Sequence, residues 1–265
     1  YLDVTLPRAK HRKNAAEQTR LLGVWRELLG HRTLVTLTPA VVAEARDALS
    51  KRKNRAGHPI SGSTVNRHLT ALSAVLRVAV KEYGWLSKNP VANVTRLEDS
   101  RGRERFLSDA ERAALLQACD QSDCAALGPL VRLALATGAR KGELASLDWA
   151  NVNLERRTVR FVDTKNGENR TVPLAQTAVG VLREWRKGRL PVGPVFPFTA
   201  DQIDKPWREA RAAANLGDFR FHDLRHSAAS YLAMSGASLM DIAAILGHKT
   251  LAMVKRYSHL SEQHT

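Results

Sequence analysis

Apolar residues recur along most of this chain at three- and four-residue steps, the spacing that gathers side chains on one face of an α-helix. The clearest run begins near Ser63 and sets Val65, Leu69, Leu72, Leu76, Ala79 and Tyr83 on one stripe, with Thr64, Asn66, Arg67, Arg77 and Lys81 mostly off it. Upstream, Thr38 before Pro39 reads as an N-cap with proline in the first turn; it opens a helix ending near the basic stretch Lys51, Arg52, Lys53, Asn54 and Arg55. With another helix around residues 14–29, the first third predicts a small helical bundle. The apolar rhythm fails after Pro90, and residues 96–105 are almost wholly charged, as suits an exposed connector. The expected division is a first domain of residues 1–98 and a second of residues 99–265, with residues 99–105 as linker.

The second domain opens on a capping-box pattern, Ser108 with Glu111, which starts a helix turning Leu115 and Leu116 inward. Helical patterns follow at about residues 127–137, 141–147, 175–187, 203–215, 222–234, 238–246 and 250–258, the last capped by Thr250. They are interrupted between residues 157 and 174. There Thr158, Arg160 and Val162 alternate with Val159 and Phe161, and an Asn166-Gly167 turn leads into Arg170-Thr171-Val172-Pro173-Leu174, a β-hairpin signal with Lys165 beside the turn. The fold class expected is mainly α with a small β-sheet, without repeats or low-complexity tracts.

Length and charge sharpen this picture. The 265 residues suit two domains, each able to bury its own core. The formal net charge of +15, from 41 Lys and Arg against 26 Asp and Glu, points to a polyanionic partner, nucleic acid foremost. Residues 1–98 are the more basic part, with 17 Lys and Arg against 7 Asp and Glu. A membrane surface would attract the same charge, yet no apolar run approaches the roughly 20 residues that span a bilayer. Cys119 and Cys124 lie in a helical segment and lack the second pair that a zinc site needs. With no signal peptide in view, a reduced, cytoplasmic protein is expected. The first residue is Tyr, so a further N-terminal module is expected to precede this segment.

Three short segments carry candidate chemistry. In Thr137-Gly138-Ala139-Arg140-Lys141-Gly142-Glu143-Leu144 one helix ends at glycine and another begins, placing Arg140 among free backbone amides, where an anion would sit well. A guanidinium there can grip a phosphate with two parallel hydrogen bonds; the plainer reading is an ion pair with Glu143. In His222-Asp223-Leu224-Arg225-His226 the i, i+3 and i+4 spacing sets His222, Arg225 and His226 on neighbouring parts of one helical face. The two histidines have zinc-helix spacing, but the glutamate of that motif is absent and an arginine shares the face. Last, Ile245-Leu246-Gly247-His248 closes a helix, and Tyr257 follows near the chain end. A phenol, with a pKa of about 10, attacks well at neutral pH only when cations stabilise its anion or a base takes its proton. Arg140, Arg225, His222 and His248 could supply that environment.

These segments, in this order, with Lys165 in a hairpin and nine residues from His248 to Tyr257, resemble the motif set of the tyrosine recombinases of phage-integrase type. The resemblance covers nearly the whole chain and implies an N-terminal helical core-binding domain, SAM-like, and a C-terminal catalytic domain. It implies that Arg140 and Arg225 hold the scissile phosphate while Tyr257 attacks phosphorus, leaving a 3′-phosphotyrosyl link and a free 5′-hydroxyl. Lys165 would protonate that hydroxyl, His222 would serve as acid–base partner or position the nucleophile, His248 would bond the phosphate, and Glu143 would support the architecture. No cofactor is implied: one phosphodiester is exchanged for another, so neither ATP nor a divalent metal is required.

The same resemblance brings the helix near Ser63 to double-stranded DNA, with Thr64, Asn66 and Arg67 toward the major groove and Lys51 and Arg52 nearby; solvation of the helix start is the alternative. It implies a homotetramer on two recombination sites passing through a Holliday junction, DNA-bending accessory proteins, and a cytoplasmic, nucleoid-associated location. Integration or excision of a phage or genomic island is the expected activity. A type IB topoisomerase-like enzyme and a catalytically idle architectural DNA-binding protein are the competing readings. The tail from Ser258 to Thr265 is shorter than in relatives that donate a terminal helix to a neighbour.

Overall fold

The computed structural model describes residues 15–54, 56–99, 105–162 and 169–262. The chain divides into two compact units, Tyr1–Gly102 and Arg103–Thr265.

The first unit is built on α1 (Ala15–Leu29), α2 (Pro39–Ser50) and α3 (Gly62–Lys81). Thr38 caps α2, its hydroxyl accepting from the Val41 amide at 3.3 Å with Pro39 in the first turn. Ser61 caps α3, two residues ahead of the expected start, by accepting from the Thr64 amide. The stripe of α3 then buries Val65, Leu69, Leu72 and Leu76 against Trp25, Val42 and Leu49. The Trp25 indole donates to the His68 carbonyl at 2.7 Å, and the buried His68 ring meets the Leu21 carbonyl, so α1 and α3 are joined by polar contacts inside an apolar core.

Two residues of this unit depart from the sequence pattern. Asn66, expected to face a DNA groove, is 6% exposed. Its amide donates to the Leu97 carbonyl at 2.7 Å and to Asp99, and its oxygen accepts from the Leu97 amide. The segment after the turn Pro90–Asn93 thus folds back onto α3, and Asn66 satisfies its backbone. Tyr83, expected on the apolar stripe, lies beyond the end of α3, is 47% exposed and stacks on Trp85 with ring centroids 4.4 Å apart.

The second unit runs α4 (Asp109–Asp120), α5 (Leu127–Thr137), α6 (Lys141–Ala145), β1 (Val152–Asn153), β2 (Thr158–Phe161), β3 (Arg170–Pro173), α7 (Gln176–Arg186), α8 (Asp204–Ala213), α9 (Asp223–Met234), α10 (Leu239–Leu246) and α11 (Ser258–Glu262). The Ser108–Glu111 capping box forms in both directions. Helix α5 is apolar nearly all round, and accordingly lies at the centre with α4, α7 and α9 against it. The strands form one antiparallel sheet in the order β1-β2-β3, whose register sets Phe161 opposite Arg170. The Asn166-Gly167 turn and Lys165 lie outside the described residues.

The helix expected at residues 250–258 is instead two 3₁₀ turns, Leu251–Met253 and Lys255–Tyr257, and the Thr250 side chain makes no capping bond. Val254 and Tyr257, three residues apart, are buried, while residues 251–253, 255 and 256 are exposed. A spacing of three matches the three-residue period of the tighter helix, so this pattern anchors a 3₁₀ segment. These two side chains close a small cluster with Ala229, Ala233, Ile242, Ala243 and Leu246, beside the main core of the unit. Among the described residues, no helix is long and apolar enough to cross a membrane.

Replacing Asn66 with Ala should destabilise the first unit by about 1–3 kcal/mol, the cost of leaving buried partners unsatisfied. Urea denaturation of the wild type and Asn66→Ala proteins checks this; equal midpoints would show that the Leu97 segment is not held by this side chain.

Candidate active site

The site grows out of two helix ends. Helix α5 stops at Gly138 (φ 61°) and α10 at Gly247 (φ 66°), both left-handed, where a residue with a Cβ is strained. A Cβ on Gly138 would also lie 2.3 Å from Cδ2 of Leu246, and one on Gly247 would lie 2.9 Å from Cδ of Arg170. Gly138 lets the ends of α5 and α10 meet, and Gly247 leaves room for the Arg170 side chain. The chain leaving each end delivers Arg140 and His248 to the same place.

The last four carbonyls of α10 lack helical partners, and each finds one. Ala243 accepts from the His248 amide and Ala244 from the Gly247 amide, closing a Schellman motif. Ile245 accepts from Nε of Arg170 at 3.0 Å, and Leu246 from Nη2 of Arg225 at 2.5 Å. The Nη1 group of Arg225 donates to the Gly138 carbonyl at 2.9 Å. Arg225, 4% exposed, therefore joins the negative ends of two helix dipoles. Burial, followed by repulsion from Arg140 and Arg170, pulls its guanidinium down to about 9, which leaves it protonated at neutral pH.

One carboxylate orders the cations around it. Glu143 reaches back from α6 to the Arg140 amide at 2.8 Å and takes a bond from the Arg140 guanidinium at 2.6 Å. Arg170 grips the same carboxylate with both terminal nitrogens, at 3.1 and 2.8 Å, while its guanidinium lies 4.6 Å over the ring of Phe161, its partner in the sheet register. Burial pushes the Glu143 carboxyl up, but the bonds from Arg170 and the Arg140 amide outweigh it and hold the group at about 2. The Arg140–Glu143 pair is thus one arm of a largely buried network, with side-chain exposures of 20% and 7%. Two guanidinium groups bond this carboxylate and a third, that of Arg225, feels its charge, an arrangement with positive charge to spare for an anion.

Tyr257 is 4% exposed, its ring part of the small apolar cluster. Its hydroxyl lies 2.5 Å from Nδ1 of His226. The His222 ring stands edge-on to His226 at 5.5 Å, on the exposed residue that precedes α9. Burial first, then the neighbouring cations, pull both His226 and His248 down to about 4, so both are neutral at neutral pH. His248 also keeps a buried Nδ1 that bonds nothing among the described residues. Arg225 feels the charges of Arg140, Arg170, Glu143 and Tyr257 together, and His248 those of Arg225 and Arg140, so the fold gathers Arg140, Glu143, His222, Arg225, His248 and Tyr257 around one locus. Of the expected catalytic residues, Lys165 alone lies outside the described residues.

Arg170 and His226 are additions to that set. Arg170 follows the hairpin turn and could be read only as a strand residue, because its partners are 27 and 75 positions away. His226 was visible one turn after His222, but the contact that singles it out comes from the far end of the chain. The basic residues of the first unit are placed as follows: Lys51 and Arg67 are exposed, Arg52 pairs with Glu27 at 2.9 Å, and the Thr64 hydroxyl bonds that of Ser61 at 3.0 Å. Among the described residues, no group of three or more His, Cys, Asp or Glu is placed to hold a metal ion.

Residues 105–264, which carry this buried tyrosine among arginines and histidines, match the model of the phage integrase family, and the chain belongs to it. A shufflon-specific DNA recombinase of Escherichia coli is 36% identical over 86% of this chain; the chain spans 59% of that relative's length. A lambda integrase dimer bound to a COC′ core site superimposes with a TM-score of 0.78 at 21% identity, over 97% of this chain and 92% of that one. A lambda integrase tetramer bound to a Holliday junction gives 0.76 at 22% identity, over 98% and 76%.

Glu143→Gln should cost about 3–5 kcal/mol, because it strips the counter-charge from buried guanidinium groups. The carboxyl is depressed in the fold, so the loss is complete above pH 4.5, its ordinary value, and narrows as pH falls toward about 2. Denaturation midpoints of both proteins across that range check the sign; a gap that widens on acidification would contradict it.

Proposed function

We propose that this chain carries the DNA-cleaving and rejoining part of a site-specific recombinase, working through a covalent bond between DNA and Tyr257. The observation that carries this reading is the single locus where the Tyr257 hydroxyl, bonded to a neutral imidazole, sits within the field of the buried Arg225 and its neighbours. Attack on a phosphodiester builds negative charge on a pentacoordinate phosphorus, and guanidinium groups already in place stabilise that charge more than the ground state. Arg225 spends two of its five N–H groups on carbonyls, and three remain for phosphate oxygens. Arg140 grips the phosphate with the nitrogens that Glu143 leaves over, and Glu143 with Arg170 fixes its direction.

His248, with its unsatisfied ring nitrogen, is the natural further partner for the phosphate. The exposed His222 takes part in proton exchange at the edge of the site, and Lys165 protonates the departing 5′-oxygen. The product is a 3′-phosphotyrosyl link that a second 5′-hydroxyl reverses, so strands are exchanged without ATP. Double-stranded DNA is the partner, and the excess of basic residues on the first unit, Lys51, Arg52 and Arg67 among them, supplies phosphate contacts. By likeness to the tetramer described above, four copies act on two sites, with accessory proteins bending the DNA, to integrate or excise a phage or genomic island. The work is cytoplasmic, at the nucleoid.

A nicked duplex bearing the recombination site should trap a covalent adduct with wild-type protein and none with Tyr257→Phe, read on a denaturing gel. Loss of one phosphate donor, in Arg225→Ala or Arg140→Ala, should slow adduct formation by about 10²–10³-fold. Wild-type protein that binds the site yet yields no adduct contradicts the reading. DNA affinity should fall steeply with salt, with a logarithmic slope near −0.9 per phosphate neutralised; a flat response in a titration would exclude the phosphate-contact model.

A further inference from the structure

The nucleophile meets a side chain other than the histidine to which family resemblance gives acid–base work. His222 is exposed just ahead of α9, whereas Nδ1 of His226, one turn further in, lies 2.5 Å from the Tyr257 hydroxyl. At neutral pH a phenol holds its proton and must be the donor in this bond, which makes Nδ1 the acceptor and places the ring proton on Nε2. We propose that His226 is the base that orients the Tyr257 hydroxyl and takes its proton during strand cleavage. The proposal rests on the reading of Tyr257 as the nucleophile.

The surroundings leave His226 as the acceptor best placed. Asp223 is buried on the same helix, but its carboxylate already accepts from the Arg220 amide at 2.8 Å. Arg225 on α9 and Arg256, beside the nucleophile, are cations that take no proton. His248, beyond α10, faces the guanidinium groups of Arg225 and Arg140. The groups acting on His226 are therefore His222 from the residue ahead of its helix, Asp223 and Arg225 from the helix itself, Arg256 and Tyr257 from the last 3₁₀ turn, and His248 from the loop after α10. Burial and the cations keep the ring unprotonated at working pH. A phosphodiester docking on Arg140 and Arg225 brings negative charge that offsets those cations, so the imidazole becomes a stronger base as the substrate arrives.

The step balances. As the bond from the tyrosine oxygen to phosphorus forms and the bond from phosphorus to the 5′-oxygen breaks, the phenolic proton passes to Nδ1 and the ring becomes imidazolium. The 5′-oxygen leaves with a proton from Lys165. On rejoining, the 5′-hydroxyl attacks phosphorus and gives its proton back to the amine that protonated the 5′-oxygen, the bond from phosphorus to the tyrosine oxygen breaks, and imidazolium returns its proton to that oxygen.

Single-turnover adduct formation on the nicked duplex, followed across pH with wild type, His226→Asn and His226→Ala, tests this. Asparagine keeps an acceptor near the place of Nδ1 but cannot take a proton. The expected result is an acid limb in the wild-type profile that vanishes in His226→Asn, with rates lowered about 10²-fold or more and DNA binding on a native gel unchanged. A purely structural role would let asparagine restore the rate and leave the acid limb in place, and either result overturns the proposal. If the alanine variant does not fold, the asparagine variant decides; a wild-type rate flat down to about pH 4 overturns the proposal without any variant. A wild-type protein that forms no Tyr257-dependent adduct defeats the underlying reading instead, a failure that His226 variants cannot imitate.

Discussion

A guanidinium removed from water must be held by dipoles or charges, and the way Arg225 is held organises the second unit. Its two protein bonds go to the carbonyls of Gly138 and Leu246, the negative ends of two helices that are close in space and more than a hundred residues apart in the chain. Burying the charge is costly in itself. That cost is offset by aligned carbonyls that would otherwise be orphaned, so cation and helix ends satisfy one another. The two left-handed glycines are part of the same arrangement: a Cβ on Gly138 would run into Leu246 at the end of the other helix, and one on Gly247 into the Arg170 side chain. Arg140 stands two residues after the first glycine and His248 directly after the second, so the site is assembled by the closure of the fold.

Repulsion among Arg140, Arg170 and Arg225 is the second constraint, and Glu143 answers it only partly. Its carboxylate engages Arg140 and Arg170, both directly, and its charge also favours the protonated form of Arg225. A site with several carboxylates would be quieter in isolation and weaker toward phosphate. A site without any would leave the cations to push one another out of register. One carboxylate among three guanidinium groups keeps the geometry and leaves an unmet demand for negative charge, the condition for stabilising a transition state more charged than its substrate.

Local rules carried the sequence reading a long way. Thr38 before Pro39, the Ser108–Glu111 box and the Val65-to-Leu76 stripe each depend on residues within a few positions, and each forms as its pattern suggests. Arg140, Arg225, His248 and Tyr257 could be named because their segments, taken together and in order, resemble one family's motif set; singly, each had a plain structural reading. The departures have a common origin in contacts made at a distance. Asn66 looked like a solvated residue at a helix start until the Leu97 segment folded over it, and Tyr83 looked like one more apolar step after its helix had ended. Arg170 depends on Glu143 and Ile245, and His226 on Tyr257, partners that no window along the chain contains. The last segment failed for another reason: its apolar spacing of three suits a 3₁₀ turn as well as an α-helix, and the exposure of residues 251–253 tips it to the former.

Tyr257 shows why burial and reactivity are compatible here. Its ring contributes to the cluster of Ile242, Leu246 and Val254, so the position of the hydroxyl is set by packing rather than by a loose side chain. That segment is held by Val254 and Tyr257 on two short turns, with exposed residues between, and segments of this kind open at lower free energy than the helices at the centre of a domain. In the role proposed for it, Tyr257 is placed accurately by the core yet carried on a segment held by only two buried side chains. The proposed reaction, in which the hydroxyl bonds first to protein, then to phosphorus, then to protein again, would use both properties. An interior helix would have supplied accuracy without travel, and an exposed tail travel without accuracy.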